Sequence, residues 1–190
     1  MDLENNQFTS IPESIGSLTN LKELSFYNNN LETLPETIKN LTGLTRLTLS
    51  ENQLSSLPES LFKITSLTYL NLGSNGLKSL PENISNLTNL TELRLYKNQL
   101  GSLTESVSEL INLRELDLRW NQLSSLPETI GSLTNLTELD LRNSKLTTLP
   151  KNIIKLTNLT QLFLNENLLI SLPENIVQKL RSQGCKIIRS

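Results

Sequence analysis

Leu21, Leu44, Leu67, Leu90, Leu113, Leu136 and Leu159 stand 23 residues apart, with no insertion or deletion between copies. A fixed period of this length marks an array in which each copy is one small structural unit. The shared pattern is LxxLxLxxNxLxxLPxxIxxLxx. The segment Leu90-Thr91-Glu92-Leu93-Arg94-Leu95-Tyr96-Lys97-Asn98-Gln99-Leu100 is one clear copy of its first half. All seven prolines, Pro12, Pro35, Pro58, Pro81, Pro127, Pro150 and Pro173, fall at one repeat position, and Thr104 takes that place in the remaining copy. A second column reads Asn6, Asn29, Asn52, Asn75, Asn98, Asn121, Ser144, Asn167.

Each half of the repeat has its own period. The LxL triplet alternates with period two, as a short strand with one buried face does. Leu34, Ile38 and Leu41 follow at i, i+4 and i+7, one face of a short helix. Pro35 suits the first helical turn, where a missing N–H costs nothing, and Glu36 complements the positive helix end. An asparagine amide both donates and accepts, so the asparagine column predicts a stacked ladder of satisfied amides. Ser144 cannot reproduce both roles, and a looser repeat is expected there.

No copy can bury its own leucines. Stacking buries them in one continuous core beneath a parallel sheet, with strands about 4.8 Å apart. Strand centres run from Leu24–Phe26 to Leu162–Leu164, with Met1 and Leu3 in register before them and Cys185 and Ile187 after. The expected architecture is an α/β repeat solenoid: a curved horseshoe with a concave parallel sheet of about nine short strands and short helical or 3-10 segments on the convex side. It forms a single domain over 1–190, with a partial first repeat (1–20), seven 23-residue repeats (21–181) and a C-terminal cap strand (182–190). Glu174–Ser182 reads as a longer helix, with Gly184 as its terminator. Cys185 takes a leucine position and is expected in the core. The sequence opens inside a strand, which leaves a sheet edge for a removed segment or another chain to cover; self-association through that edge is one reading.

With these motifs the chain resembles leucine-rich-repeat proteins along essentially its whole length. It is similar to the 23-residue subclass with an LPxxI second half, which includes Ras-interacting scaffolds and many bacterial proteins, spirochaete ones among them. The resemblance implies the solenoid fold. It implies a protein-binding role only by analogy, because one fold hosts many tasks.

Composition narrows the function. With no histidine, Ser-His-Asp and Cys-His catalysis and the commonest metal ligand are excluded. No GxGxxG, Walker loop, HExxH or CxxC occurs, so neither an enzyme nor a cofactor is expected. The 17 basic and 19 acidic residues nearly cancel, which argues against a nucleic-acid partner. No apolar run reaches the length of a transmembrane helix. One cysteine allows no internal disulfide, which fits an intracellular or bacterial setting. Met1-Asp2-Leu3 opens no signal peptide, so the location stays open: a bacterial surface if a leader preceded Met1, the cytoplasm otherwise.

The candidate site lies on the exposed side of the strands. Leucine supplies 44 residues and fills the core, so the aromatic residues are not needed there. The strand columns hold all three tyrosines and the single tryptophan. Tyrosine, tryptophan and arginine are enriched in interface hot spots. The expected protein-binding patch is Tyr69, Arg94, Tyr96, Asp117, Arg119, Trp120, Asp140 and Arg142. The competing reading is a solvated lattice in which Arg94, Arg119 and Arg142 pair with Asp117 and Asp140 across strands. Glu115/Asp117 and Glu138/Asp140 could flank a cation, but EF-hand spacing is absent and arginines intervene. Phe163, Leu168, Ile170 and Ile188 lie off the leucine columns, either under the terminal helix or in a self-association patch.

Six N-x-S/T sequons, at Asn40, Asn83, Asn86, Asn89, Asn135 and Asn158, read as by-products of the LTNLT-like consensus. The sequence therefore points to a non-enzymatic protein-interaction module, a bacterial surface or host-contact protein, binding on its concave face. The alternatives are a carbohydrate or other surface-ligand binder and a self-associating structural unit.

Overall fold

The computed structural model describes residues 1–189. Its strands are β1 (Glu23–Ser25), β2 (Arg46–Thr48), β3 (Tyr69–Asn71), β4 (Glu92–Arg94), β5 (Glu115–Asp117), β6 (Glu138–Asp140), β7 (Gln161–Phe163) and β8 (Lys186–Ile188). They form one parallel sheet in sequence order. From β1 to β7 each residue pairs with the one 23 positions on, as Leu93 with Leu116 and Leu116 with Leu139. The ninth strand expected at the N-terminus is reduced to one bridge, Asp2 to Ser25. Its backbone bonds to β1 are formed, Leu3 N–H to Ser25 O at 2.9 Å and Ser25 N–H to Met1 O at 3.0 Å, but the paired stretch is too short for a strand. The cap strand expected within 182–190 is β8, but it lies two residues out of the expected register: Leu162 pairs with Ile187 and not with Cys185, because the nine-residue α-helix before it makes the last return longer than the others. Ser190 lies outside the described residues.

The convex returns are five-residue 3-10 helices, from Glu13–Ser17 to Lys151–Lys155. Their i to i+3 bonds, such as Ile38 N–H to Pro35 O at 3.1 Å, fit a return too short for a longer α-helix. Pro35 sits one position earlier than expected. It is the N-cap, with ψ at 151°, and the helix begins at Glu36. Its fixed φ still directs the chain into the turn. Where Thr104 replaces proline, its hydroxyl accepts from the Ser106 N–H instead. The last return is an α-helix, α1 (Glu174–Ser182), and Gly184 follows it at φ 88°.

The leucine columns form one continuous buried core from Ile11 to Cys185. Burying a leucine side chain contributes about 1.5–3 kcal/mol, and the array repeats that gain at every copy. Cys185 is buried as expected, and burial pushes its thiol up to about 11. Leu168 and Ile170 are not under the helix: Ile170 is 94% exposed.

Side-chain ladders hold the copies in register. Asn98 Nδ2 donates to Leu72 O and Leu95 O, both at 3.0 Å, while its Oδ1 accepts from Leu77 N–H. Asn52, Asn75 and Asn121 repeat that set, each accepting from the residue 21 positions back. A second amide ladder runs on the exposed side. Asn89, Asn112, Asn135 and Asn158 each donate to the carbonyl 24 residues earlier, at 2.8–2.9 Å. Three sequon asparagines are thus spoken for by backbone.

Candidate functional site

The site begins with the backbone just past each strand. Asn5, Asn28, Glu51, Ser74, Lys97, Trp120, Asn143 and Glu166 all adopt left-handed conformations, with φ from 50° to 57°. Asparagine tolerates this region, whereas it costs most other residues about 1–2 kcal/mol. Trp120 is the one aromatic residue in that column. The residue is 42% exposed, and its ring borders two cations, Arg119 at 5.1 Å and Lys97 at 5.4 Å.

Tyr96 stands beside it. Arg119 lies 5.1 Å from the Tyr96 ring, so one guanidinium serves both aromatic faces. Gly73 makes room for the tyrosine: a β-carbon there would overlap its ring. Such cation–π contacts contribute about 0.5–1 kcal/mol at exposed sites. They orient the aromatic residues without covering them.

The arginines find acids within their own repeats rather than across the sheet. Arg142 Nε lies 2.9 and 3.0 Å from the Asp140 carboxylate, Arg119 Nε lies 3.2 Å from Asp117, and Arg94 pairs with Glu92. Residues i and i+2 share one face of a strand, and a long arginine folds back onto its own neighbour. The cross-strand contact present is Arg94 to Glu115, at 3.9 Å. Asp117 is pushed up to about 6, chiefly by burial; the Arg119 charge and backbone N–H oppose that rise, and Asp140 adds to it. Burial also raises Glu115, with Glu92 and Glu138 adding like charge.

Six of the eight expected residues, Arg94, Tyr96, Asp117, Arg119, Trp120 and Arg142, reach the concave surface. Tyr69 and Asp140 lie on the same face but are covered, at 8% and 4% exposure. Arg46 sits 3.9 Å over the Tyr69 ring and Arg94 approaches it at 5.6 Å, while the tyrosine hydroxyl accepts from Asn71. Asp140 is occupied by Arg142. Two residues outside the expected set, Glu115 and Glu138, join the arginines and aspartates around a concave depression of about 200 Å³. Their signal was the column Glu23, Arg46, Tyr69, Glu92, Glu115, Glu138, Gln161, which holds three consecutive glutamates. Among the described residues no cluster of histidine, cysteine, aspartate or glutamate is arranged to hold a metal ion.

The family model for the leucine-rich repeat region matches residues 1–123 and 98–183. The chain belongs to the leucine-rich-repeat family. A leucine-rich-repeat protein of Leptospira interrogans is 33% identical over 98% of this chain and 53% of its own, with a TM-score of 0.80. The Arabidopsis receptor kinase HAESA, solved with the peptide hormone IDA and the co-receptor SERK1, is 30% identical over 95% of this chain and 31% of its own, at 0.80. An internalin of Listeria monocytogenes is 23% identical over 97% of this chain and 52% of its own, at 0.83, a likeness of fold. The chain spans about half the length of the Leptospira and Listeria proteins. No curated protein matches it. No helix among the described residues is long and apolar enough to cross a membrane.

Proposed function

We propose that this leucine-rich-repeat chain, a non-enzymatic interaction module, takes a protein ligand on its concave face around Tyr96, Arg119 and Trp120. The observation that carries the reading is Trp120. A large aromatic residue stands exposed at a left-handed position where every other copy has asparagine, serine, lysine or glutamate, and no core demand explains it. Stacked copies make the surface rigid, so little conformational entropy is lost on binding. The relative solved with a peptide hormone supports a protein or peptide ligand. The identity with the Leptospira protein supports a bacterial setting.

The test is a pulldown from bacterial and host lysates with wild type beside Tyr96→Ala/Trp120→Ala, both confirmed folded by circular dichroism. A protein retained by wild type and lost by the variant supports the reading. Equal retention by both overturns the placement on the concave face.

A further inference from the structure

Glu92, Glu115 and Glu138 occupy matching places on β4, β5 and β6, paired in register across the sheet. Neighbouring strands are about 4.8 Å apart, so the three carboxylates form a row of like charge. Like charges directly opposite one another destabilise a sheet. The local cations do not cancel the row. Arg119 and Arg142 turn to their own aspartates, and Arg94 is shared between Glu92 and Glu115. Glu138 has no ion-pair partner among the described residues. Glu115 and Glu138 of the row line the depression of about 200 Å³ together with Leu116, Arg119 and Arg142. Beyond them stand Tyr96 and Trp120, at the strand ends.

We infer that this depression accepts a lysine or arginine side chain of the protein partner, held between Glu115 and Glu138, with the partner's neighbouring apolar group against Trp120. This rests on the concave-face reading above. Charge complementarity selects the occupant. The negative charge left over is on the glutamate row, while the arginines that would attract an anion are already paired. A volume of about 200 Å³ admits one long side chain and not a folded element. A metal ion is the poorer occupant, because no described cluster offers it a suitable ligand set and arginines line the same space. A cation entering here relieves the repulsion along the row, and that relief adds to the attraction.

Trp120 is the single tryptophan, so its fluorescence reports on the site directly. The probes are acetylated pentalysine and pentaglutamate amides, titrated into the full chain at low ionic strength, with calorimetry as a second readout. Pentalysine is expected to give a saturable change that Glu115→Gln/Glu138→Gln weakens by about tenfold. Glu59→Gln/Glu109→Gln removes the same charge from the convex side and is expected to leave it within about twofold. Equal weakening by the two pairs, or none by the concave pair, overturns the inference. Saturation by pentaglutamate with pentalysine inert overturns it while leaving a concave site. Silence to both peptides also overturns it, and the pulldown then judges the concave-face reading separately.

Discussion

The ring of Tyr96 fills the space that a side chain on Gly73 would take, so a neighbouring copy sets where this tyrosine points. The same column carries Tyr27, Ser50, Arg119 and Arg142, and glycine stands only beside Tyr96. Gly73→Ser is expected to keep the fold, because only a ring on the open face must swing. The stability change should stay within about 1 kcal/mol, as for surface substitutions. Any ligand that needs Tyr96 should bind Gly73→Ser as poorly as Tyr96→Ala. Ring-proton shifts of Tyr96 on substitution, together with a thermal melt, check both halves.

Trp120 poses a conflict between local backbone preference and surface chemistry. Trp120→Asn should relieve left-handed strain of about 1–2 kcal/mol. It also removes contacts with Arg119 and Lys97, worth about 0.5–1 kcal/mol each. The expected result is stability within about 1 kcal/mol of wild type, by denaturant melt, alongside lost ligand capture. A large loss of stability would mean that the tryptophan serves the fold.

The buried amide ladder gives a sharper contrast. Asn98→Ala leaves the Leu77 N–H without its acceptor and removes the donor to Leu72 and Leu95. Each buried group stripped of its partner costs about 1–3 kcal/mol, so a loss of at least that size is expected by urea denaturation. At Ser144 the hydroxyl still donates to Leu118 O at 3.0 Å, but no described side chain accepts from the Leu123 N–H. Lys145 turns left-handed just after it, at φ 63°, which no residue at that repeat position does elsewhere. Ser144→Asn is therefore expected to stabilise the chain by about 0.5–1.5 kcal/mol.

The fold was legible because a 23-residue period states the register outright. Once Leu93, Leu116 and Leu139 were aligned, the sheet order followed. Cys185 is buried, but Ile187 takes the place opposite Leu162, because the longer last return breaks the 23-residue count. The site was only partly legible. The columns gave each residue's face, which depends on backbone position alone. They did not say that Arg46 and Arg94 lie against Tyr69, or that Arg119 and Arg142 prefer their own repeats, because those outcomes depend on long side-chain torsions settled by neighbours. The second amide ladder was hidden for another reason. Asn89, Asn135 and Asn158 looked like by-products of a consensus, and their backbone partners lie 24 residues away.

Asp117 makes the site sensitive to acid, with a definite sign. Its native pKa of about 6 lies above the ordinary aspartate value of about 3.9, so the folded chain holds this proton more tightly than the unfolded chain. The linked contribution to stability is fully present below about pH 4 and is lost as pH rises through about 6. Above that it is level, with the carboxylate charged beside Arg119. Glu115, also raised, acts in the same direction, whereas Glu82 and Glu128 are lowered by hydrogen bonds and act in the opposite one. The difference between wild type and Asp117→Asn isolates the aspartate from these neighbours. Relative to the variant, wild type should lose stability between about pH 4 and pH 6 in urea melts, and its Asp117 carboxyl carbon should titrate by NMR near 6. Parallel stability curves, or titration near the ordinary value, would show that solvent reaches this carboxylate freely and that the depression is open to water to its floor.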